Sequence, residues 1–523
     1  MKYKIIAFSL ACLSVFGWGC DNYLDINEDP NVLRDIPEAK VVLPAAELNL
    51  ANQMMGWDFG FGAGFWSEYW TQAYDASQFK FLCEYEPTDF GTAYNDLTAG
   101  VLLDCKRMKT VATENNNTGV YYAAEALSIF TWQITTDVWG DIPYFEALKG
   151  DEGIVSPKFD EGSAIYADLL ARVDALLAVD ISEASLPASY DFYFGGDLDQ
   201  WKLFANSLKL KLMIRLSETS TYNNAALVSF IESAEFIKNN AGISGSTWSD
   251  KVEGKRHPMR EFEEGEAGYL SGNVIASKNF LDYLEMNTDP RLDVLFEMTG
   301  GYHLGAFFGD FASKEDSDGN GDLDEDEDYS QAVFSQNQSL VIMSVWEVNF
   351  YIAEVYARAG NNAKAKEYYD LGVQASMKMH INDIDVDLDK DLALALAATL
   401  TDDIITTGYA TWVDGTIEEG IKQIAMQKWV ANANYQHIES FLERNRTKYP
   451  AVNTIDIRKD RADAYANFPL GDLTIAIEGR GRTNAKLPAS PIYPDAIMTR
   501  NENAPAQKED LLEKVWWNLK SGL

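Results

Sequence analysis

The sequence predicts a mainly α-helical protein, and three observations carry that prediction. Apolar residues recur at helical spacing in long segments, strand-like alternation is scarce, and one segment has the small and aromatic residues of a packed helix–turn–helix. A chain of 523 residues is long enough to bury a large core unaided.

The elements follow in chain order. Lys2 and Lys4 form a short basic stretch, and Ile5 to Phe16 an uncharged apolar run too short to span a bilayer. With the small residues Gly17 and Gly19 before Cys20, residues 1–19 resemble a bacterial lipoprotein signal, although Gly17 stands where Leu is usual. The alternative is an ordinary secretory signal cleaved nearby. A lipid on Cys20 holds stably only with two or more acyl chains. Residues 20–40 read as a polar, turn-rich tether, beginning Asp21-Asn22-Tyr23 and running through Asp29-Pro30-Asn31. No later segment is apolar and long enough to cross a membrane, so residues 41–523 read as one anchored domain.

Within that domain Gly119–Val138, Ala164–Leu177 and Leu198–Leu216 carry helical stripes, the last through Trp201, Phe204, Leu208, Leu212 and Leu216. Ala353, Tyr356, Gly360, Ala365 and Tyr369 sit at tetratricopeptide-like spacing, with Asn361-Asn362 as the turn. Comparable pairs elsewhere are degenerate, which argues against a regular solenoid. Gly479–Pro505, rich in Pro, Gly and polar residues, is expected to wrap the surface.

Composition excludes some classes. With 81 acidic against 43 basic residues the chain carries −38, which repels phosphate backbones and opposes nucleic-acid binding. Cys83 and Cys105 are the cysteines left in the body; they either pair or remain buried thiols, and neither makes a disulfide framework.

Two segments carry recognisable site chemistry. Asp316, Asp318, Asn320, Asp322, Asp324 and Glu327 fit the twelve-residue calcium loop, with Gly321 at the sharp turn and Leu323 at the apolar position. The spacing supplies oxygens for a structural Ca²⁺, Glu327 closing the shell with two; Asp322 is expected to ligate through its backbone and Asp324 through water. A solvated acidic loop is the alternative, but so many carboxylates repel one another unless a cation neutralises them.

The densest aromatic run holds Trp57, Trp66, Tyr69, Trp70 and Tyr74. Flat aromatic faces stack on the apolar faces of sugar rings or on peptide planes, and Gly60, Gly62 and Gly64 would let the backbone bend near a ligand. The same aromatics recur at helix spacing, so core packing competes at each position. Tyr302, with His303, Phe307 and Phe308, is a second candidate set. None of the four histidines forms H-E-x-x-H, and neither G-x-S-x-G nor a P-loop occurs.

Several segments in order resemble the SusD-like (RagB-like) lipoproteins of the Bacteroidetes. They are CDNYLDINEDPN (20–31), DVWGDIPYFEAL (137–148), WKLFANSLKLKLMIRLS (201–217), TDPRL (288–292), QKWVANANYQHIESFLERNRTKYP (427–450), LPASPIYP (487–494) and VWWN (515–518). The closing Pro-Ile-Tyr-Pro departs from the family's usual ending. The resemblance implies four tetratricopeptide-like helix pairs forming a right-handed scaffold with long ligand-site loops. It also implies a non-enzymatic lid on a SusC-like, TonB-dependent outer-membrane barrel, trapping oligosaccharides or oligopeptides at the cell surface. The rival readings are a surface glycan-hydrolysing enzyme and a helical-repeat scaffold that binds only proteins.

Overall fold

The computed structural model describes residues 38–522 apart from 74–75, 253, 261–272, 312–328, 336, 383–389 and 460. The expected helical class is what it has. Helix α1 is Leu43–Met54, α2 Leu103–Glu114, α3 Thr118–Trp139, α4 Gly162–Leu177, α5 Leu198–Arg215, α6 Asn224–Ser233 and α7 Lys278–Met286. Helices α8 Val345–Arg358, α9 Asn362–Asn382, α10 Lys390–Thr406, α11 Ile417–Asn432 and α12 His437–Thr447 follow. The strands are two to four residues long and form two-stranded sheets: β1 (Trp70–Thr71) with β5 (Ile275–Ala276), β2 (Ile142–Pro143) with β3 (Phe159–Asp160), β4 (Ala241–Ile243) with β6 (Leu340–Met343), and β7 (Val452–Asn453) with β8 (Leu473–Thr474).

Local signals set the helix ends. The Asn117 side chain accepts from the N–H of Val120 and Asp197 from those of Asp199 and Gln200. Ser344 caps α8, and Thr416 with Glu419 makes a capping box on α11. Gly140, at φ +85°, stops α3.

Among the described residues, four successive helix pairs pack together: α2 on α3, α4 on α5, α8 on α9, and α11 on α12. Neighbouring pairs meet through α3·α4, α5·α8 and α8·α11. Helix α3 is buried along almost its whole length because α2, α4 and α5 all lie against it. In the pair read as tetratricopeptide-like, Ala353, Ala365, Tyr356 and Tyr369 are buried, and Gly360 turns the chain at φ +71°. One apolar core cluster takes residues from Ala39 to Trp517. Cys83 and Cys105 are free buried thiols, each pushed up to about 12 by burial and so inert. The 479–505 segment is only partly a surface wrap, for Leu487, Ala489 and Ser490 are buried.

Where the four pairs converge, the core is ionic. Asp137 of α3, Lys211 and Arg215 of α5, Glu347 and Glu354 of α8, Lys428 of α11, and Glu439, Glu443 and Arg446 of α12 are all buried. Lys211 Nζ lies 2.9 Å from Glu347 Oε1 and 2.5 Å from Glu439 Oε1. Arg215 reaches Asp137 at 2.8 Å, Glu439 at 2.7 Å and Glu443 at 2.9 Å. Arg446 grips Glu354 and Glu443, and Arg358 closes on Glu354 at 2.8 Å. Lys428 Nζ, 3.1 Å from Glu443, sits 3.6 Å above the Tyr351 ring. Four buried cations thus face five buried carboxylates, with the part-exposed Arg358, which also pairs with Glu218 at 2.7 Å, closing the edge of the network, so that no buried charge in it stands alone. Burial alone would raise the carboxyls of Glu354 and Glu443, but their arginine and lysine partners outweigh it and hold both below the ordinary range.

A second buried pair joins the 288–292 segment to this frame. Arg291 takes Asp289 with two N–H groups at 2.9 and 2.6 Å, then donates to Ser376 of α9 at 3.0 Å and Gln427 of α11 at 3.1 Å. At the far end of the chain Trp517 is buried under the Arg215 guanidinium, 5.2 Å from its ring centroid. Asp137, Lys211, Arg215, Asp289, Arg291, Lys428, Glu439, Glu443, Arg446 and Trp517 come from segments that carry the family resemblance, whereas Glu347, Glu354 and Arg358 of α8 do not.

Candidate ligand-binding site

The aromatic run at 57–74 turns inward. Trp66 is 3 % exposed, and Tyr69 and Trp70 are 0 % exposed. The Tyr69 hydroxyl donates to the Trp429 carbonyl at 2.6 Å, Trp66 Nε1 to the Leu82 carbonyl at 3.4 Å, and Trp70 meets the His437 ring edge-on at 4.6 Å. Ligand contact by Trp66, Tyr69 and Trp70 is corrected by this placement: their faces are spent on core packing, the reading their helical spacing also allowed. The glycines serve the same end. A Cβ on Gly64 would stand 2.9 Å from both His437 and Trp70. Trp57 is half-buried, its ring 5.1 Å from Phe79 and 5.7 Å from Phe61. Tyr74 lies outside the described residues.

The second candidate set fares differently. Strand β1 pairs with β5, and the 299–311 segment runs beside β5 through the Lys278 N–H to Ala306 carbonyl bond of 2.8 Å and its return from Ala306 to Ala276. Thr299 and Tyr302 exchange backbone hydrogen bonds across Gly300 and Gly301, at φ +58° and +92°, a turn that side-chain-bearing residues rarely adopt. That turn holds Tyr302 out at 47 % exposure. Beneath it His303 is buried, its Nε2 2.9 Å from the Asp293 carboxylate. Phe307 and Phe308 are core.

Polar groups gather further along the same segment. Buried Asp310 accepts from Arg461 and from the Tyr465 hydroxyl at 3.0 Å. Lys278 pairs with Asp282 at 2.9 Å and lies 5.5 Å from the Tyr465 ring, while Lys80 lies 4.8 Å from the Phe311 ring. Burial raises the Asp282 carboxyl despite Lys278 beside it. The segment thus carries one exposed ring, Tyr302, and further along it the part-buried Phe311 ring near Lys80 and the Asp310 carboxylate held by Arg461 and Tyr465, groups of the kinds that a polyhydroxylated or peptide ligand requires. Lys80, Lys278, Arg461 and Tyr465 were missed by sequence reasoning. They come from three separated stretches, and no local motif announces them.

The calcium-loop residues Asp316, Asp318, Asn320, Asp322, Asp324 and Glu327 lie outside the described residues, as does Cys20. Among the described residues no group of three or more His, Cys, Asp or Glu side chains is placed to hold a metal ion. His257, His380 and His437 are buried, and burial pushes them down to about 3, 4 and 4. For His437 the Gly60 carbonyl, 2.7 Å from Nδ1, opposes that shift without outweighing burial, while Nε2 accepts from the Asn434 N–H at 2.8 Å. No described helix is long and apolar enough to cross a membrane.

Comparison with known proteins agrees with this architecture. A family profile described as "Starch-binding associating with outer membrane" matches residues 32–467. Among solved structures, a chitin-binding protein is similar at 20 % identity and a TM-score of 0.66, covering 91 % of this chain and 100 % of its own. A SusD homolog from Bacteroides uniformis ATCC 8492 is similar at 22 % identity and a TM-score of 0.66, over 92 % and 99 %. Another from Bacteroides fragilis NCTC 9343 has 15 % identity and a TM-score of 0.69, over 92 % and 100 %. A search of curated proteins finds no match.

Proposed function

This chain belongs to the SusD-like family of starch-binding, outer-membrane-associated proteins, and on that premise we propose that it captures oligosaccharides or oligopeptides at the cell surface for import. In this reading it is a lipoprotein, held by acyl chains on Cys20, that hands its ligand to a SusC-like, TonB-dependent barrel in the outer membrane. It binds and does not turn over what it binds. The neighbour named as a chitin-binding protein favours a glycan over a peptide.

The observation that carries the proposal is the loop layer along 299–311. There an exposed ring, Tyr302, shares a segment with Phe311 and with the Asp310–Arg461–Tyr465 cluster. A stacking face and charge-fixed donors on one segment suit capture from water, and among the described residues of that layer no group is arranged as nucleophile and base. Ca²⁺ held by Asp316, Asp318, Asn320, Asp322, Asp324 and Glu327, between Phe311 and Tyr329, would brace the same wall.

The test is calorimetric titration of the mature body against a panel of oligosaccharides and oligopeptides, with chromatography of each mixture afterwards. Saturable binding with the ligand recovered intact supports the proposal. Shortened products would sink it in favour of a glycan hydrolase.

A further inference from the structure

A cavity of about 340 Å³ opens between the 238–240 segment that leads into β4, the first residue of α8 and the last two turns of α9. That volume lies within the ~300–1,000 Å³ range of small-molecule sites. The pairing of Ala241 with Met343 sets the 238–240 segment beside the start of α8. Asn240 then ties the walls together: its Oδ1 accepts from the Val345 N–H at 2.8 Å, and its Nδ2 lies 3.3 Å from Met379 Sδ. Val345, Ala375 and Met379 give the cavity an apolar side, while Lys238, Asn239 and Lys378 bring polar heads to it. On a chain with 81 acidic against 43 basic residues, this lining holds two lysines and no carboxylate. Lys378 makes no ion pair, and the Asn239 side chain no hydrogen bond, among the described residues. Lys238 meets Glu235 at 2.9 Å, but both side chains are about 70 % exposed, and a pair so open to water holds its ammonium only weakly.

We infer that this cavity seats one acidic sugar unit, a hexuronate or a sulfated hexose, as a second binding site of the protein. Lys238 and Lys378 come from different elements that line one space, so they meet the anionic group of the sugar from two walls. Ammonium groups suit this task because each is a compact charge with three rotatable donors. The Asn239 amide supplies both a donor and an acceptor, the pair that a ring hydroxyl uses. The surface of Val345, Ala375 and Met379 suits the apolar C–H face of the ring, which a bare inorganic anion would leave unused. The cavity shares no lining residue with the 299–311 layer, so it stands independently of the capture site proposed there.

The test is a ligand-observed magnetic-resonance titration of the full mature chain with glucuronate, glucose 6-sulfate and glucose. At low ionic strength at least one acidic sugar is expected to bind about tenfold or more tighter than glucose, and the tighter of the two names the anion. Salt at about 0.5 M is expected to shrink that preference, since both ammonium groups are open to solvent. Lys378→Gln is expected to weaken the acidic sugar about fivefold, and the Lys238→Gln/Lys378→Gln double variant to bind it no better than glucose. The melting temperature should not move, because both lysines are exposed. Equal binding of all three sugars would overturn the inference, as would a preference that the double variant keeps. A preference lost in Tyr302→Ala but kept in the double variant would move the acidic sugar to the 299–311 layer and overturn it as well. Inorganic sulfate binding as tightly as the acidic sugars would leave an adventitious ion only, and would overturn the sugar assignment.

Discussion

Arg446 and Glu354 meet fork to fork in the core, Nη1 to Oε1 at 2.6 Å and Nη2 to Oε2 at 2.5 Å, although 92 residues separate them. Arg446 also holds Glu443 at 2.7 Å and Ser217 at 2.7 Å. One guanidinium therefore ties α12 to α8 and to the turn that follows α5.

Removing one side of that pair strands a charge where water cannot reach it. Arg446→Met is expected to cost roughly 3–5 kcal/mol, the usual penalty for breaking a buried pair from one side. Replacing both partners with apolar residues of matched volume should cost much less. Urea unfolding followed by tryptophan fluorescence measures both, and equal losses for the single and double variants would contradict the ionic account.

Acid should unfold the protein through the same network. Glu354 and Glu443 are held below the ordinary carboxylate range by their arginine and lysine partners, against the burial that opposes them. Their contribution is complete above about pH 4.5 and disappears as pH falls through their depressed values. Glu68 has the opposite sign. Burial, only partly offset by hydrogen bonds from Thr474 and Asn279, pushes its carboxyl up to about 8. The folded state then binds a proton that the unfolded chain releases, so stability falls from about pH 4.5 up to about 8, by at most ~1.4 kcal/mol per pH unit. Glu68→Gln is expected to flatten that alkaline slope while leaving the acid limb unchanged. A parallel downward shift at every pH would contradict it.

Aromatic substitutions should divide cleanly. Trp70→Ala empties a fully buried site and is expected to cost about 3–5 kcal/mol. Tyr302→Ala removes an exposed ring and should leave the melting temperature unchanged while weakening ligand binding about tenfold, on the scale of one lost stacking contact. Thermal melts and titrations on the same samples separate the two. A stability loss at Tyr302 with unchanged affinity would remove that turn from the site.

This division also marks how far the residues alone led. Helices α3, α4 and α5 and the α8–α9 pair were legible because 3.6-residue periodicity and capping are local properties. The orientation of Trp66, Tyr69 and Trp70 was not, since stacking on a sugar and stacking in a core require the same ring at the same spacing. Nor could Lys211 and Arg215 be read as buried. Within α5 they look like the polar face of an amphipathic helix, and their partners Glu347, Glu439 and Asp137 arrive from 78 to 228 residues away. The loop cluster of Asp310, Arg461 and Tyr465 was hidden for the same reason.

Calcium gives an independent check on the 316–327 segment. If its oxygens hold Ca²⁺, calcium at about a hundredfold over its dissociation constant should stabilise the fold by roughly 2.7 kcal/mol, provided that the unfolded chain does not bind it. Glu327→Gln should abolish most of that gain. Melting temperatures that ignore both calcium and chelator would show the segment to be a solvated acidic loop.

The central claim, capture for import, is tested most directly by mass spectrometry of what co-purifies with the protein in mild detergent from the outer membrane of its own cells. The account predicts a large barrel partner and bound sugars or short peptides. Recovery of the chain alone, without barrel or small molecule, would contradict it.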